Sequence, residues 1–144
     1  RVEAVYKFAR IDRYPQFMAS RNFDIGLAPL VDNAFNRGKS NLRWLEYAGL
    51  KVPCIASKVG HFEETIKNEV DGLLCYSEQD WLDSIDFLIH DENARRKMGK
   101  AANARARKDF NVDITTLEYV RVLKEISARG QVRPVQADPV EATA

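Results

Sequence analysis

The chain has 144 residues, 45% hydrophobic and 30% charged, with a formal net charge of +1. That is the size and make-up of an ordinary globular domain able to bury its own core. The near-zero charge gives no global field for nucleic acid or membrane, and no apolar run approaches the roughly 20 residues that span a bilayer.

The opening RVEAVYKFAR has no signal-peptide core and no initiator Met. It starts in an alternating pattern, so the chain is expected to be a piece of a longer protein. Val2 to Phe8 is predicted as a strand. Arg13 to Arg21 is predicted as a short helix with Pro15 in its first turn. Asp24 to Leu30 is a near-continuous apolar run closed by Pro29, which reads as a strand buried on both faces. Val31 to Gly38 reads as a loop, and Ser40 to Gly49 as a helix ended by Gly49 and Pro53.

Val52 to Ser57 is a second buried strand. Lys58 to Gly60 forms a loop, and His61 to Lys67 a helix. Asp71-Gly72 marks a turn before a short strand, Leu73 to Tyr76. Ser77 caps the next helix, with Asp80 three residues on as a near capping box. Asp91 caps a helix from Glu92 to Asp109. Asp113 is expected to cap the last helix, with Ile114, Leu117, Val120, Leu123 and Ile126 as its apolar stripe. From Gly130 onward the composition predicts a disordered tail, leaving residues 1–129 as one domain. Short buried strands alternating with helices specify an α/β fold, a Rossmann-like parallel sheet flanked by helices that lacks its first βα units.

Cys54 and Cys75 sit inside short apolar runs and show no metal-ligand spacing, which reads as free core thiols in a reducing cytoplasm. His61 and His90 are far apart, so no zinc site is expected. Ligands of open parallel sheets bind beyond the carboxyl ends of the strands. The loop before the Ser40 helix leaves such an end. Lys39 and Ser40 stand at the expected helix start, where free N–H groups favour an anion. Gly38 allows close backbone approach. Neither GxxxxGK[ST] nor GxGxxG is present. On a helix, Lys39 and Glu46 would share a face about 10 Å apart. Lys39 could then hold a diphosphate and Glu46 a diol. Glu46 could equally pair with Arg43 on its own helix, a surface ion pair of little worth.

The segments FDIGLAPL, FNRGKSNLRWLEYAGLKVPCIAS and GHFEETIKNEVDGLLC are similar to the donor-nucleotide half of group 1 (family four) retaining glycosyltransferases of the GT-B fold. The likeness runs from about Tyr14 to Asp109, most of the chain. It implies the carboxyl-terminal half of a two-domain enzyme that transfers a hexose-type sugar from a nucleotide sugar to a saccharide, lipid-linked or protein acceptor. It implies Glu46 as the second Glu of a Glu-x7-Glu signature, gripping ribose hydroxyls. Lys39 and Ser40 are implied as diphosphate ligands, with Lys39 and Glu46 carrying the chemistry. Phe35, Asn36, Gly38 and Leu42 complete the expected substrate-binding set. The first Glu of the signature is replaced by Gly38, which puts the handling of the transferred sugar in question.

Retention is implied by the resemblance. The lack of an acidic DxD-type cluster leads to an expectation of metal-independent transfer with no cofactor. The acceptor-binding domain is expected elsewhere in the parent protein, which is read as bacterial and engaged in polysaccharide synthesis. This piece alone is expected to bind nucleotide weakly and transfer nothing. The basic helix holding Arg95, Arg96, Lys97, Lys100, Arg105, Arg107 and Lys108 reads as a solvated face, with an anionic membrane surface as the alternative contact. The expected location is the cytoplasm, with peripheral contact at the inner membrane face as the alternative. No nucleic-acid partner is expected. Trp44 and Trp81 read as packing residues, with contact between Trp44 and a neighbouring domain as the alternative. The competing reading is a non-catalytic Rossmann-like binding or interaction module.

Overall fold

The computed structural model of the protein describes residues 10–129. The strand expected over Val2 to Phe8 and the tail expected from Gly130 lie outside them. The chain divides into two compact units, Arg1–Lys108 and Asp109–Ala144.

A single 3₁₀ turn precedes α1 (Tyr14–Ser20), whose first turn accepts Pro15 because its N–H would be unpaired anyway. Three short parallel strands follow, in the order β1 (Gly26–Ala28), β2 (Cys54–Ser57), β3 (Leu73–Cys75). Between β1 and β2 lie α2 (Ala34–Arg37) and α3 (Leu42–Gly49), and α4 (His61–Thr65) follows β2. The unit continues with α5 (Glu78–His90) and α6 (Glu92–Asp109). Central β2 is buried throughout, as its apolar run requires. β1 corrects the expectation of burial on both faces. It is an edge of the described sheet, and Leu27 is 45% exposed.

The core gathers Ile55, Leu73, Cys75, Leu88 and Met98, with Ile25, Trp81 and Ile85 packed against it. Ser77 and Asp80 complete a full capping box at α5, and the Tyr76 and Ser77 N–H groups hold the Asp80 carboxyl below its ordinary range. Asp91 Oδ1 accepts the Ala94 N–H at 2.8 Å, the expected cap of α6. Gly99 lets α6 lie directly on the turn after α3, where a Cβ would fall 1.9 Å from the Lys51 carbonyl oxygen. Asn103 then donates to the Ala48 carbonyl at 2.9 Å, beside the Lys51 N–H that the same carbonyl accepts at 3.0 Å at the end of α3.

A buried polar knot ties three elements. The Trp44 indole, wholly buried, donates to the Asp71 carbonyl at 2.9 Å. Arg105 of α6 lies 4.8 Å from the Trp44 ring. Its Nε sits 2.8 Å from Asp71 Oδ2, an electrostatic contact without hydrogen-bond alignment, and its Nη2 donates to the Thr65 carbonyl. Asp71 Oδ1 accepts the Lys67 N–H at 2.8 Å. Burial pushes the Asp71 carboxyl up, against the Lys67 N–H and the Arg105 charge that pull it back. Arg105 is therefore not part of a solvated face, and Trp44 has no surface left for a neighbouring domain. The rest of the basic helix is mostly exposed: Arg96 pairs with Glu92, and Arg95 donates to the Leu88 and Ile89 carbonyls.

The second unit contains α7 (Val112–Ala128), which carries the expected apolar stripe. Its cap is Asn111, not Asp113. The Asp113 N–H is itself one of the orphan donors, and Asn111 accepts it at 2.9 Å. Among the described residues no helix is long and apolar enough to cross a membrane.

Replacing Arg105 with Ala leaves Asp71 buried without its counter-charge. The expected loss is about 3–5 kcal/mol, read by chemical denaturation. Both cysteines are free and buried, and burial pushes the Cys54 thiol up to about 12 and the Cys75 thiol in the same direction. At about pH 8 neither is a thiolate, so Ellman's reagent should label both only after denaturation. Fast labelling of the native chain would contradict this packing.

Candidate functional site

The carboxyl end of β1 opens into Pro29 and Leu30, and the Leu30 N–H donates to Ser57 Oγ at the end of β2, at 2.8 Å. The loop expected over residues 31–38 is not irregular. Asn33 caps the short helix α2, accepting the Asn36 N–H at 2.8 Å. Asn36 Nδ2 donates to the Val31 carbonyl at 2.8 Å. Arg37 forks onto Asp32 at 2.5 and 2.9 Å, and that hydrogen bonding holds the Asp32 carboxyl below its ordinary range. Gly60, with φ of 55°, presses against this segment; a Cβ there would lie 2.6 Å from the Arg37 carbonyl oxygen. Only glycine meets both demands at low cost.

Helix α3 begins at Leu42, not Ser40. Asn41 precedes it and donates to Thr65 Oγ1 at 3.0 Å. Lys39 and Ser40 therefore stand in the loop, and the argument that Lys39 and Glu46 share a helical face does not apply. The tertiary fold nevertheless brings them together. A cavity of about 430 Å³ is lined by Lys39, Ser40, Leu42 and Glu46, by Leu27 to Leu30 of β1 and its exit, and by Arg43, Tyr47 and Phe62.

Phe35, Asn36 and Gly38 do not line that cavity. Phe35 is 77% exposed, and the Lys39 ammonium sits 5.0 Å from its ring centroid. Asn36 spends its amide on Val31. Gly38 caps α2 with φ of −85°, and a Cβ there would make only ordinary contacts with the Phe35 and Ala34 carbonyl oxygens, at 3.6 and 4.0 Å. His61 lies outside the cavity lining, beside Glu64 at 3.0 Å.

Glu46 forms the Arg43 pair that its spacing allowed, with Nη1 to Oε2 at 2.8 Å. The same Arg43 Nη1 donates to the Tyr14 hydroxyl at 2.8 Å. Burial works to lower the Arg43 pKa, and the Glu46 charge and the Tyr14 contact outweigh it, so the guanidinium is held above its ordinary value. Tyr47 lies flat on β1, where a Cβ at Gly26 would fall 2.5 Å from its ring, and burial pushes its phenol pKa up. Tyr14, Tyr47 and Phe62 escaped the sequence reading. The "LEY" triplet hinted at Tyr47, whereas nothing local points from Tyr14 to a partner 32 residues away. Among the described residues no group of three or more His, Cys, Asp or Glu side chains could hold a metal ion.

Residues 42–105 match the family model described as glycosyl transferases group 1. No curated protein matches the chain significantly. Among solved structures, the C-terminal domain of the glycosyl transferase group 1 family protein LpcC from Francisella tularensis superposes with a TM-score of 0.61 at 24% identity. That match covers 75% of this chain and 53% of the other. Anabaena HepE in complex with UDP matches at 0.61 and 23%, over 81% of this chain and 30% of HepE. Its complex with UDP-glucose matches at 0.61 and 22%, over 77% and 29%. The chain thus spans about half of the first structure and under a third of the others. The α/β parallel-sheet fold and the resemblance to group 1 glycosyltransferases both stand on these findings.

Substituting Gly60 with Ala forces the β2–α4 turn away from Arg37. The expected cost is about 1–3 kcal/mol in a thermal melt. The largest amide shifts should fall in residues 33–39.

Proposed function

We propose that the chain is the donor-binding part of a glycosyltransferase that uses a nucleotide sugar. One observation carries the reading: a single cavity beyond the carboxyl end of a parallel strand gathers a lysine, a hydroxyl and a carboxylate, Lys39, Ser40 and Glu46. Such crevices are the usual ligand sites of open α/β sheets. The family match over residues 42–105 and a fold shared with a protein solved with UDP and UDP-glucose support the same reading.

In this reading Lys39 and Ser40 meet the diphosphate, and Glu46 accepts hydrogen bonds from the ribose hydroxyls. Cleavage of the glycosyl–phosphate bond puts negative charge on the diphosphate, and Lys39 stabilises it as it develops. Phe35 lies beside Lys39, and Asn36 and Gly38 belong to α2 and its cap just before it. Leu42 gives the cavity an apolar wall. Retention belongs to the proposal through the resemblance, and metal independence without a cofactor through the lack of an acidic DxD-type cluster in the sequence. An acceptor-binding domain in the parent protein and a role in bacterial polysaccharide synthesis also follow the resemblance; a cytoplasmic site follows from the free cysteines, with peripheral contact at the inner membrane face as the alternative. The absence of a carboxylate at Gly38 favours one competing reading, a module that kept the fold without catalysis. Donor hydrolysis by the complete parent protein separates the two.

The test is a backbone NMR titration with UDP, GDP and ADP. One nucleotide should shift amides from Lys39 to Glu46, and Lys39→Ala and Glu46→Ala should each weaken it about tenfold. Unchanged affinity in both variants would remove the reading.

A further inference from the structure

Glu46 borders two cavities. Besides the one described above, a second of about 280 Å³ lies between α1 and α3, walled by Tyr14, Pro15, Met18, Leu45 and Leu50 as well as Glu46. The carboxylate stands on the partition, on a flexible side chain, and could be drawn to either side. We propose that Arg43 and Tyr14 are positioning residues that fix one Glu46 oxygen and so present the other to a vicinal diol in the larger cavity.

The hydrogen bonds give the geometry. Arg43 Nη1 donates to Glu46 Oε2 and to the Tyr14 hydroxyl, each at 2.8 Å, and the Tyr14 hydroxyl lies 3.5 Å from the same Oε2. Two groups, the Arg43 guanidinium and the Tyr14 hydroxyl, converge on one oxygen. Among the described residues Oε1 has no hydrogen-bond partner. A carboxylate accepts at both oxygens, so Oε1 and the remaining capacity of Oε2 stay available. The Glu46 side chain is 22% exposed against 48% for Arg43, so the carboxylate is the better shielded of the two. Ordering a Glu side chain during binding costs rotamer freedom. A carboxylate already held by α1 and α3 avoids that loss.

This inference rests on the donor-site reading, and a ratio of affinities tests it. A purely structural role for Tyr14 or Arg43 weakens all ligands alike. A positioning role weakens only ligands that carry the diol. The experiment measures dissociation constants for the tightest of UDP, GDP and ADP and for its 2′-deoxy counterpart. The proteins are wild type, Tyr14→Phe, Arg43→Lys and Glu46→Ala, each checked for an intact amide spectrum. Arg43→Lys keeps the positive charge and replaces the planar guanidinium, whose Nη1 makes both contacts, with a more mobile ammonium. Wild type should prefer the ribonucleotide by about tenfold. Tyr14→Phe and Arg43→Lys should cut that preference to about threefold or less, with the deoxynucleotide affinity unchanged. A preserved preference in both variants, equal losses for both ligands, or no preference in wild type overturns the positioning role. If Glu46→Ala keeps the wild-type preference, or no nucleotide binds any protein, the donor-site reading itself falls.

Discussion

The contact between Arg105 and Asp71 governs more of this structure than its position suggests. Removing two charges from water is unfavourable unless each finds partners. Asp71 finds Arg105 and the Lys67 N–H, and its own carbonyl takes the Trp44 indole. With Trp44 anchored at zero exposure, the rotation of α3 is fixed. At about 100° per residue, Leu42 and Glu46 fall on the side opposite Trp44 and within about 40° of each other. A charge on α6 thereby decides which α3 side chains reach the cavity.

The strand exits are fixed by different means. Ser57 ties β2 to the exit of β1, and Gly60 admits the Arg37 backbone at a distance no side chain would allow. On this framework the two charged groups have unlike surroundings. Lys39 has no carboxylate within ion-pair distance among the described residues and leans on Phe35. Glu46 is already compensated by Arg43. An uncompensated cation suits an anion, because it gains a full counter-charge on binding. A compensated carboxylate suits a neutral hydroxyl pair, since it accepts hydrogen bonds without needing a cation from the ligand.

Much of this was legible from the residues. The strand runs around Ile55 and Leu73, the Ser77–Asp80 box and the α3 stretch all carry local signals that the tertiary fold respects. The misreadings were non-local. Arg105 looks like one more basic residue on a polar helix, because its partner Asp71 is distant in sequence. Trp44 reads correctly as a packing residue, but its anchor, the Asp71 carbonyl, is also distant and carries no local signal. The loop at 31–38 hides a four-residue helix, because so short a helix has no periodicity to read and depends on the Asn33 cap and the Arg37–Asp32 fork. The grouping of Lys39 with Glu46 rested on a partly mistaken reason. Lys39 and Glu46 meet through the turn after α2, and not along one helix.

Gly38 is the remaining point of tension with the resembled signature, and its geometry bears on it. With φ of −85° and no close contact at its Cβ, the backbone does not require glycine there. The missing carboxylate is therefore not the consequence of a crowded turn. A Glu at this position would stand next to Lys39 and offer it the counter-charge it now lacks. Its absence leaves the cation available to an incoming anion, at the cost of an acceptor for whatever the anion carries. In the donor-site reading, recognition shifts toward the diphosphate and the ribose, and the transferred group must be held by residues outside the Lys39–Glu46 set.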